Sequence, residues 1–153
     1  MAKKKVMAIA SIGGHWVQLL RIARPMEEKY KMVYVSNHPK CATMVEGQRF
    51  YQTIDFSRSD AWKLIPSFFK AVRTLRRENP DAIITTGAAP GLVFLLAGKL
   101  LGIKTIWIDS IANAEHLSAS GRMASWFASR TYTQWKDLAI GKIQYAGNVF
   151  GNE

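Results

Sequence analysis

Residues 81–113, DAIITTGAAPGLVFLLAGKLLGIKTIWIDSIAN, decide the fold. The apolar run at 82–85 predicts a strand, the Gly/Pro-rich 86–91 a tight turn, 92–101 a compact helix, and 104–108 a second strand before a polar loop. This is a βαβ unit, because parallel neighbours need a crossover and that crossover is nearly always right-handed. It predicts an α/β fold with a Rossmann-like parallel sheet and helices on both faces. Ligands of such sheets bind beyond the carboxyl ends of the strands, here Thr85, Thr86 and Gly87 at one end and Ile108, Asp109 and Ser110 at the other.

Upstream, residues 5–11 read as a buried first strand ending in Ile12, Gly13 and Gly14. Trp16, Leu19, Leu20 and Ala23 then repeat on one helical face across 15–24, with Pro25 as the expected stop. A second strand is expected at 31–36, broken by Asn37, His38 and Pro39, and a third at 49–54, while 44–47 fits neither period. Residues 55–60 read as loop, with Ser59 or Asp60 capping a helix over 61–79. Pro66 either sits in the first turn of that helix or divides a short lead-in from a longer one. Downstream, 118–129 predicts a helix, and 131–134 and 142–146 predict strands.

The 153 residues suit one domain, 1–153, with 48% hydrophobic content to build a core. Twenty-one Lys and Arg against eleven Asp and Glu give a formal charge of +10, which favours an anionic partner. The lone Cys41 rules out an internal disulfide, and His15, His38 and His116 lack the spacing of a metal site, so no metal is expected. Only about six apolar residues follow the N-terminal lysines, below the ~7 to 15 of a signal-peptide core. The longest apolar run, 88–98, is far short of the ~20 residues that span a bilayer. A cytoplasmic chain, peripheral on the cytosolic face of a membrane, is the expectation.

Gly13 and Gly14 stand where a strand hands over to a helix. Glycine lets a backbone approach a phosphate, and the free amides of a helix N-terminus favour an anion; a plain tight turn is the other reading. An NAD site is disfavoured, because G-x-G-x-x-G is absent and the second strand ends in Ser36 and Asn37 where a ribose-binding acid belongs. His15 is placed to donate to such an anion or to act as a general base, or else is simply solvated. Thr86 and Gly87 open a second small-residue loop at a helix start, and Pro90 suits a first helical turn. Asp109, Ser110 and Asn113 offer a carboxylate, a hydroxyl and an amide past a strand end, for ligand hydroxyls or for local capping. On the 62–77 helix, Trp62, Phe68 and Phe69 alternate with Lys70, Arg73 and Arg76. That mixture fits both a membrane-surface helix and a solvated basic face. No recognition motif supports nucleic acid.

With these residues in view, a resemblance emerges. Stretches 11–20 (SIGGHWVQLL), 84–90 (ITTGAAP), 102–110 (GIKTIWIDS), 117–130 (LSASGRMASWFASR), 134–138 (QWKDL) and 145–147 (YAG) resemble, in order and over most of the chain, one half of a GT-B glycosyltransferase. The nearest likeness is to the family of asparagine-linked glycosylation protein fourteen and its bacterial capsule and exopolysaccharide counterparts. That resemblance implies a transferase split between two polypeptides, this one being the acceptor-side, membrane-associated half. It also implies that a separate donor-binding subunit holds the UDP-sugar, so that no cofactor binds here. The Gly13-Gly14-His15 and Gly87 loops would then face the diphosphate of a polyprenyl-linked acceptor. Asp109 stands where many relatives carry Glu.

The expected function is therefore the acceptor-binding and membrane-recruiting subunit of a two-component glycosyltransferase, inactive without its partner. His15 and Asp109 are the catalytic candidates. Gly13, Gly14, Thr86, Gly87, Ser110 and Asn113 are expected to bind acceptor phosphate, and Trp135, Tyr145 and Phe150, at the cleft rim and tail, to meet the partner. Two rivals are a membrane scaffold that contributes no site residue and a stand-alone nucleotide-binding enzyme.

Overall fold

A computed structural model describes residues 2–56 and 58–151, the side chain of Arg58 excepted. Ser57, in the loop expected at 55–60, and Asn152 and Glu153 of the tail lie outside the described residues. The chain runs β1 (Lys5–Ala10), α1 (Gly14–Met26), β2 (Lys31–Ser36), α2 (Lys40–Thr43), β3 (Arg49–Gln52), a 3-10 stretch (Arg58–Lys63) and α3 (Leu64–Glu78). It continues through β4 (Ala82–Gly87), α4 (Ala89–Leu100), β5 (Lys104–Ile108), α5 (Ala119–Ser125), β6 (Arg130–Thr133) and β7 (Ile143–Tyr145), with a 3-10 turn at Lys136–Leu138.

Among the described residues the strands form one seven-stranded sheet in the order β3-β2-β1-β4-β5-β6-β7, every neighbouring pair parallel. The order reverses between β1 and β4. Their crossovers depart to opposite sides and leave a crevice at their carboxyl ends. The expected parallel sheet with helices on both faces is the observed fold.

Alternation along β1 divides the core. Val6, Ala8 and Ala10 face α1 and α2 and pack with Trp16, Leu19, Ala23, Tyr34 and Ile84. Met7 and Ile9 point the other way, into α3, α4 and α5, with Val33, Leu75, Ile83, Phe94 and Trp107. Trp16 meets Tyr34 and Phe50 edge-on at 6.0 and 6.4 Å. On α4, a side chain at Gly91 or Gly98 would collide with Thr85 or Ile83, so these glycines let the helix lie close on β4.

The boundaries depart from the sequence reading in explicable ways. Pro25 lies inside the last turn of α1, where its missing N–H forfeits only one hydrogen bond. Lys40–Thr43 forms a single turn that the breaker residues concealed. The third strand ends at Gln52, and the helix expected to reach 129 stops at Ser125. Neither Ser59 nor Asp60 caps α3: the 3-10 stretch precedes it, Lys63 is its N-cap residue, and Pro66 sits in its first turn. Asn79, left-handed at φ 47°, ends α3 and donates from its amide to Leu75 at 2.7 Å.

Where α3 ends, the carboxylate of Glu78 is buried between strands. Lys5 Nζ lies 3.1 Å and Arg49 Nη1 3.0 Å from it, and the Tyr51 hydroxyl donates to it. Burial by itself raises this carboxyl; the bonds from Tyr51, Arg49 and Lys5 outweigh it and hold the group at about 2. The cluster ties α3 to the starts of β1 and β3.

Candidate functional site

The crevice between β1 and β4 is floored by two glycine turns. Gly13 has φ 102° and Gly87 φ 117°, a region that side chains rarely enter. The turns hold each other: Ser11 N donates to Gly87 O at 3.1 Å, and Thr86 Oγ1 donates to His15 O at 2.6 Å. Ile12 N donates to Asn37 Oδ1 at 2.8 Å, so the residue standing in place of a ribose-binding acid orders the first turn instead. At Gly13 and Gly14 a Cβ would meet nothing within 4 Å, which leaves that turn open above.

Two helices begin here, α1 at Gly14 and α4 at Ala89. Neither has a side-chain cap, and neither carries an acid in its first turn. The leading amides of α1, those of Ala89 and Gly91 in α4 where Pro90 has none, and the positive ends of both dipoles therefore face an anion between them. His15 Nδ1 lies 3.0 Å from Thr86 O. A carbonyl only accepts, so Nδ1 carries the hydrogen and Nε2 is the ring nitrogen left for a ligand. Gly87 is what admits the ring, since a Cβ there would stand 2.8 Å from Nδ1.

The β5 loop carries the second cluster. Asp109 is 2% exposed, and its carboxylate accepts from Trp107 Nε1 (2.9 Å), Asn113 Nδ2 (3.1 Å), Ser118 N (3.0 Å) and Ser118 Oγ (2.6 Å). With four donors it has no lone pair to spare as a base. These bonds tie residues 110–118 and the start of α5 to the end of β5. Ser110 Oγ accepts from Gln18 Nε2 at 3.1 Å, which brings this loop to α1, one turn beyond His15. Asn113 belongs to the Asp109 cluster.

Sequence reasoning missed two glutamines. Gln18 Oε1 accepts from Ile111 N (3.1 Å) and from Gln134 Nε2 (2.7 Å). Gln134, 3% exposed, also donates to Asp109 O at 2.9 Å and accepts from Val149 N at 2.9 Å. One buried amide network therefore joins α1, the β5 loop, the end of β6 and the tail. Only the carry-over of 134–138 in the family resemblance hinted at Gln134.

At the rim, Trp135 is 39% exposed and donates from Nε1 to Ile111 O at 2.7 Å. Phe150 is 57% exposed with the Arg21 guanidinium 5.1 Å above its ring, and Tyr145 is half-buried on β7. A cavity of about 450 Å³ opens between α1, β6 and the tail, lined by Arg21, Ile22, Tyr132, Gln134 and Val149. Trp62 of the 3-10 stretch and Ile65 and Phe69 of α3 project, with Lys70, Arg73 and Arg76 exposed on the same helix. Phe68 is half-buried, packed against the core and edge-on to Phe69 at 6.0 Å. Leu96 and Leu100 of α4 extend the exposed apolar surface. No helix among the described residues is long and apolar enough to cross a membrane.

Comparison with known proteins places this geometry. Residues 27–149 match the family model described as oligosaccharide biosynthesis protein Alg14 like. The chain is 34% identical over 80 residues to the UDP-N-acetylglucosamine transferase subunit ALG14 of Eremothecium gossypii, a match covering 46% of this chain and 36% of that protein. To the subunit of the same name in Yarrowia lipolytica it is 25% identical over 162 residues, covering 88% and 75%. Its fold superposes on Acinetobacter baumannii MurG with TM-score 0.81 at 18% identity, covering 98% of this chain and 46% of MurG. The chain thus spans about a third of the first of these relatives and about half of MurG. The architecture is that of the N-terminal Rossmann-like domain of GT-B proteins.

Proposed function

From the premise that the chain belongs to the Alg14-like family of oligosaccharide biosynthesis proteins, we propose that it is the acceptor-binding, membrane-docking subunit of a two-chain UDP-sugar glycosyltransferase. The carrying observation is the meeting of two uncapped, acid-free helix N-termini across the His15–Thr86–Gly87 contact. Such a floor suits a diphosphate. The acceptor would be a polyprenyl-diphosphate-linked sugar, with the diphosphate against α1 and α4 and the sugar hydroxyl toward the donor. In the transfer, the acceptor oxygen bonds to the anomeric carbon, the bond from that carbon to UDP breaks, and the hydroxyl proton leaves. His15 Nε2 is the nitrogen available to take that proton or, when charged, to hold the phosphate.

The relatives' names call them transferase subunits, which supports a second chain that binds the UDP-sugar. Exposed Trp135 and Phe150 beside the cavity at the tail suit its docking. Exposed Trp62, Ile65 and Phe69 with neighbouring cations suit the bilayer, at about 1 kcal/mol per basic residue near an anionic surface.

The test is transfer of radiolabelled sugar from UDP-sugars to a membrane lipid acceptor, by this chain alone and together with a donor-binding partner. Product only with both supports the reading, and turnover by this chain alone overturns it. Within the assembled complex, His15→Ala is expected to lower kcat/KM for the acceptor at least about tenfold. Unchanged activity would reduce the chain to a scaffold.

A further inference from the structure

We propose that Ser110 donates a hydrogen bond to the bound diphosphate, and that Gln18 and Gln134 are positioning residues that fix this hydroxyl as a donor and couple it to the tail; this rests on the diphosphate floor proposed above. The backbone orients both amides. A backbone N–H only donates, so the atom of Gln18 that meets Ile111 N at 3.1 Å is Oε1, and so is the atom of Gln134 that meets Val149 N at 2.9 Å. The two nitrogens then face the other way. Gln134 Nε2 donates to Asp109 O at 2.9 Å and to Gln18 Oε1 at 2.7 Å, and Gln18 Nε2 donates to Ser110 Oγ at 3.1 Å.

Every link therefore donates in one direction: Val149 to Gln134, Gln134 to Gln18, Gln18 to Ser110. Bonds in such a series polarise one another, so the last donor is stronger than an isolated hydroxyl. Ser110 Oγ also accepts from Ala112 N at 3.2 Å, which occupies its second lone pair. What remains on it is its hydrogen, and no bond among the described residues takes that hydrogen. Ser110 is 7% exposed, two residues past the end of β5, and a donor so buried and polarised favours a charged ligand oxygen. At the other end of the series, the Arg21 guanidinium reaches Val149 O at 3.5 Å and stands over the Phe150 ring. His15, Gln18 and Arg21 follow at i, i+3 and i+6, so α1 carries the crevice contact, the relay and the tail contact in turn. Coupling of this kind is reciprocal: a partner that orders the tail tightens diphosphate binding, and the diphosphate tightens the tail.

Titration of the isotope-labelled full chain with inorganic pyrophosphate at fixed ionic strength, followed by its amide resonances, tests this. In the wild type, pyrophosphate is expected to move the backbone amides of Gly14 and Ser110, the side-chain amides of Gln18 and Gln134, and the amide of Val149 in the tail. Ser110→Ala should weaken pyrophosphate binding about tenfold, and Gln18→Met about threefold. In both variants Gly14 should still move while Val149 no longer does. The wild-type pattern and Ser110→Ala decide the donor role with the two glutamines untouched. Movement of Gly14 while Ser110, Gln18 and Gln134 stay still, or undiminished affinity in Ser110→Ala, overturns that role while the diphosphate floor stands. A Val149 shift that survives Gln18→Met overturns the relay. A Gly14 amide that does not move in the wild type overturns the floor, and the proposed function with it.

Discussion

At Gly87 one methyl group separates a formed site from a broken one. Gly87→Ala would place a carbon 2.8 Å from His15 Nδ1 at a backbone φ of 117°, so the ring must leave Thr86. The expected outcome is loss of acceptor binding together with about 1–2 kcal/mol of stability, read by thermal unfolding and by the His15 ring resonances. Glu78 gives the residue-scale prediction for pH. Its folded carboxyl sits at about 2 against an ordinary 4.5. A depressed value stabilises the fold above the unfolded pKa, and that contribution is lost as pH falls from about 4.5 toward 2. Glu78→Gln should cost about 3 kcal/mol near neutrality and flatten the acid limb of a stability curve followed by urea titration. Asp109 marks the limit of reading residues in sequence. Its position past a strand end was legible, but its role depends on Ser118, Trp107 and Asn113 closing around it, which the chain order does not display.

Elements were legible where their periods were clean. β1, β2, β4 and β5 are buried runs bounded by breakers, and α1 repeats Trp16, Leu19, Leu20 and Ala23 on one face. The single turn of α2 carries too few residues to display a period, whereas β7, three residues at an edge, falls within the strand expected at 142–146. The Gln18–Gln134 bond spans most of the chain and leaves no local trace. The start of α1 offers a prediction with opposed signs. Gly14→Asp puts a carboxylate on an open, uncapped N-terminus, where it should raise stability by about 0.3–1 kcal/mol. The same charge occupies the anion position, so the acceptor KM should rise while the melting temperature also rises. Parallel measurement of the two checks it, and a rise in melting temperature with unchanged KM would remove α1 from the site.

For the whole molecule, the surfaces sort by direction. The crevice opens at the carboxyl edge between β1 and β4, the apolar and cationic surface lies on α3 and α4, and the aromatic rim lies at β6 and the tail. Trp135→Ala with Phe150→Ala should weaken assembly with a donor-binding chain by about 2 kcal/mol or more, measured by calorimetry, while vesicle binding stays as in the wild type. Vesicle binding lost in the same variant would show that the rim and the α3 surface are not independent.

The strand order has a consequence for how the chain comes to be folded at all. β1 is the hub of the sheet: Val6 lies opposite Met32 on one side and Ala82 on the other. Its first edge can pair early, but its second edge waits until β4 has been made. At about 5–20 residues per second, a ribosome takes several seconds to travel from β2 to β4. Throughout that interval the most apolar strand of the protein, with Met7, Ala8 and Ile9 all destined for full burial, presents an open backbone edge. The residue that ends the exposure is Gly87, the partner of Ala10, so the turn that later admits His15 also closes the nascent sheet.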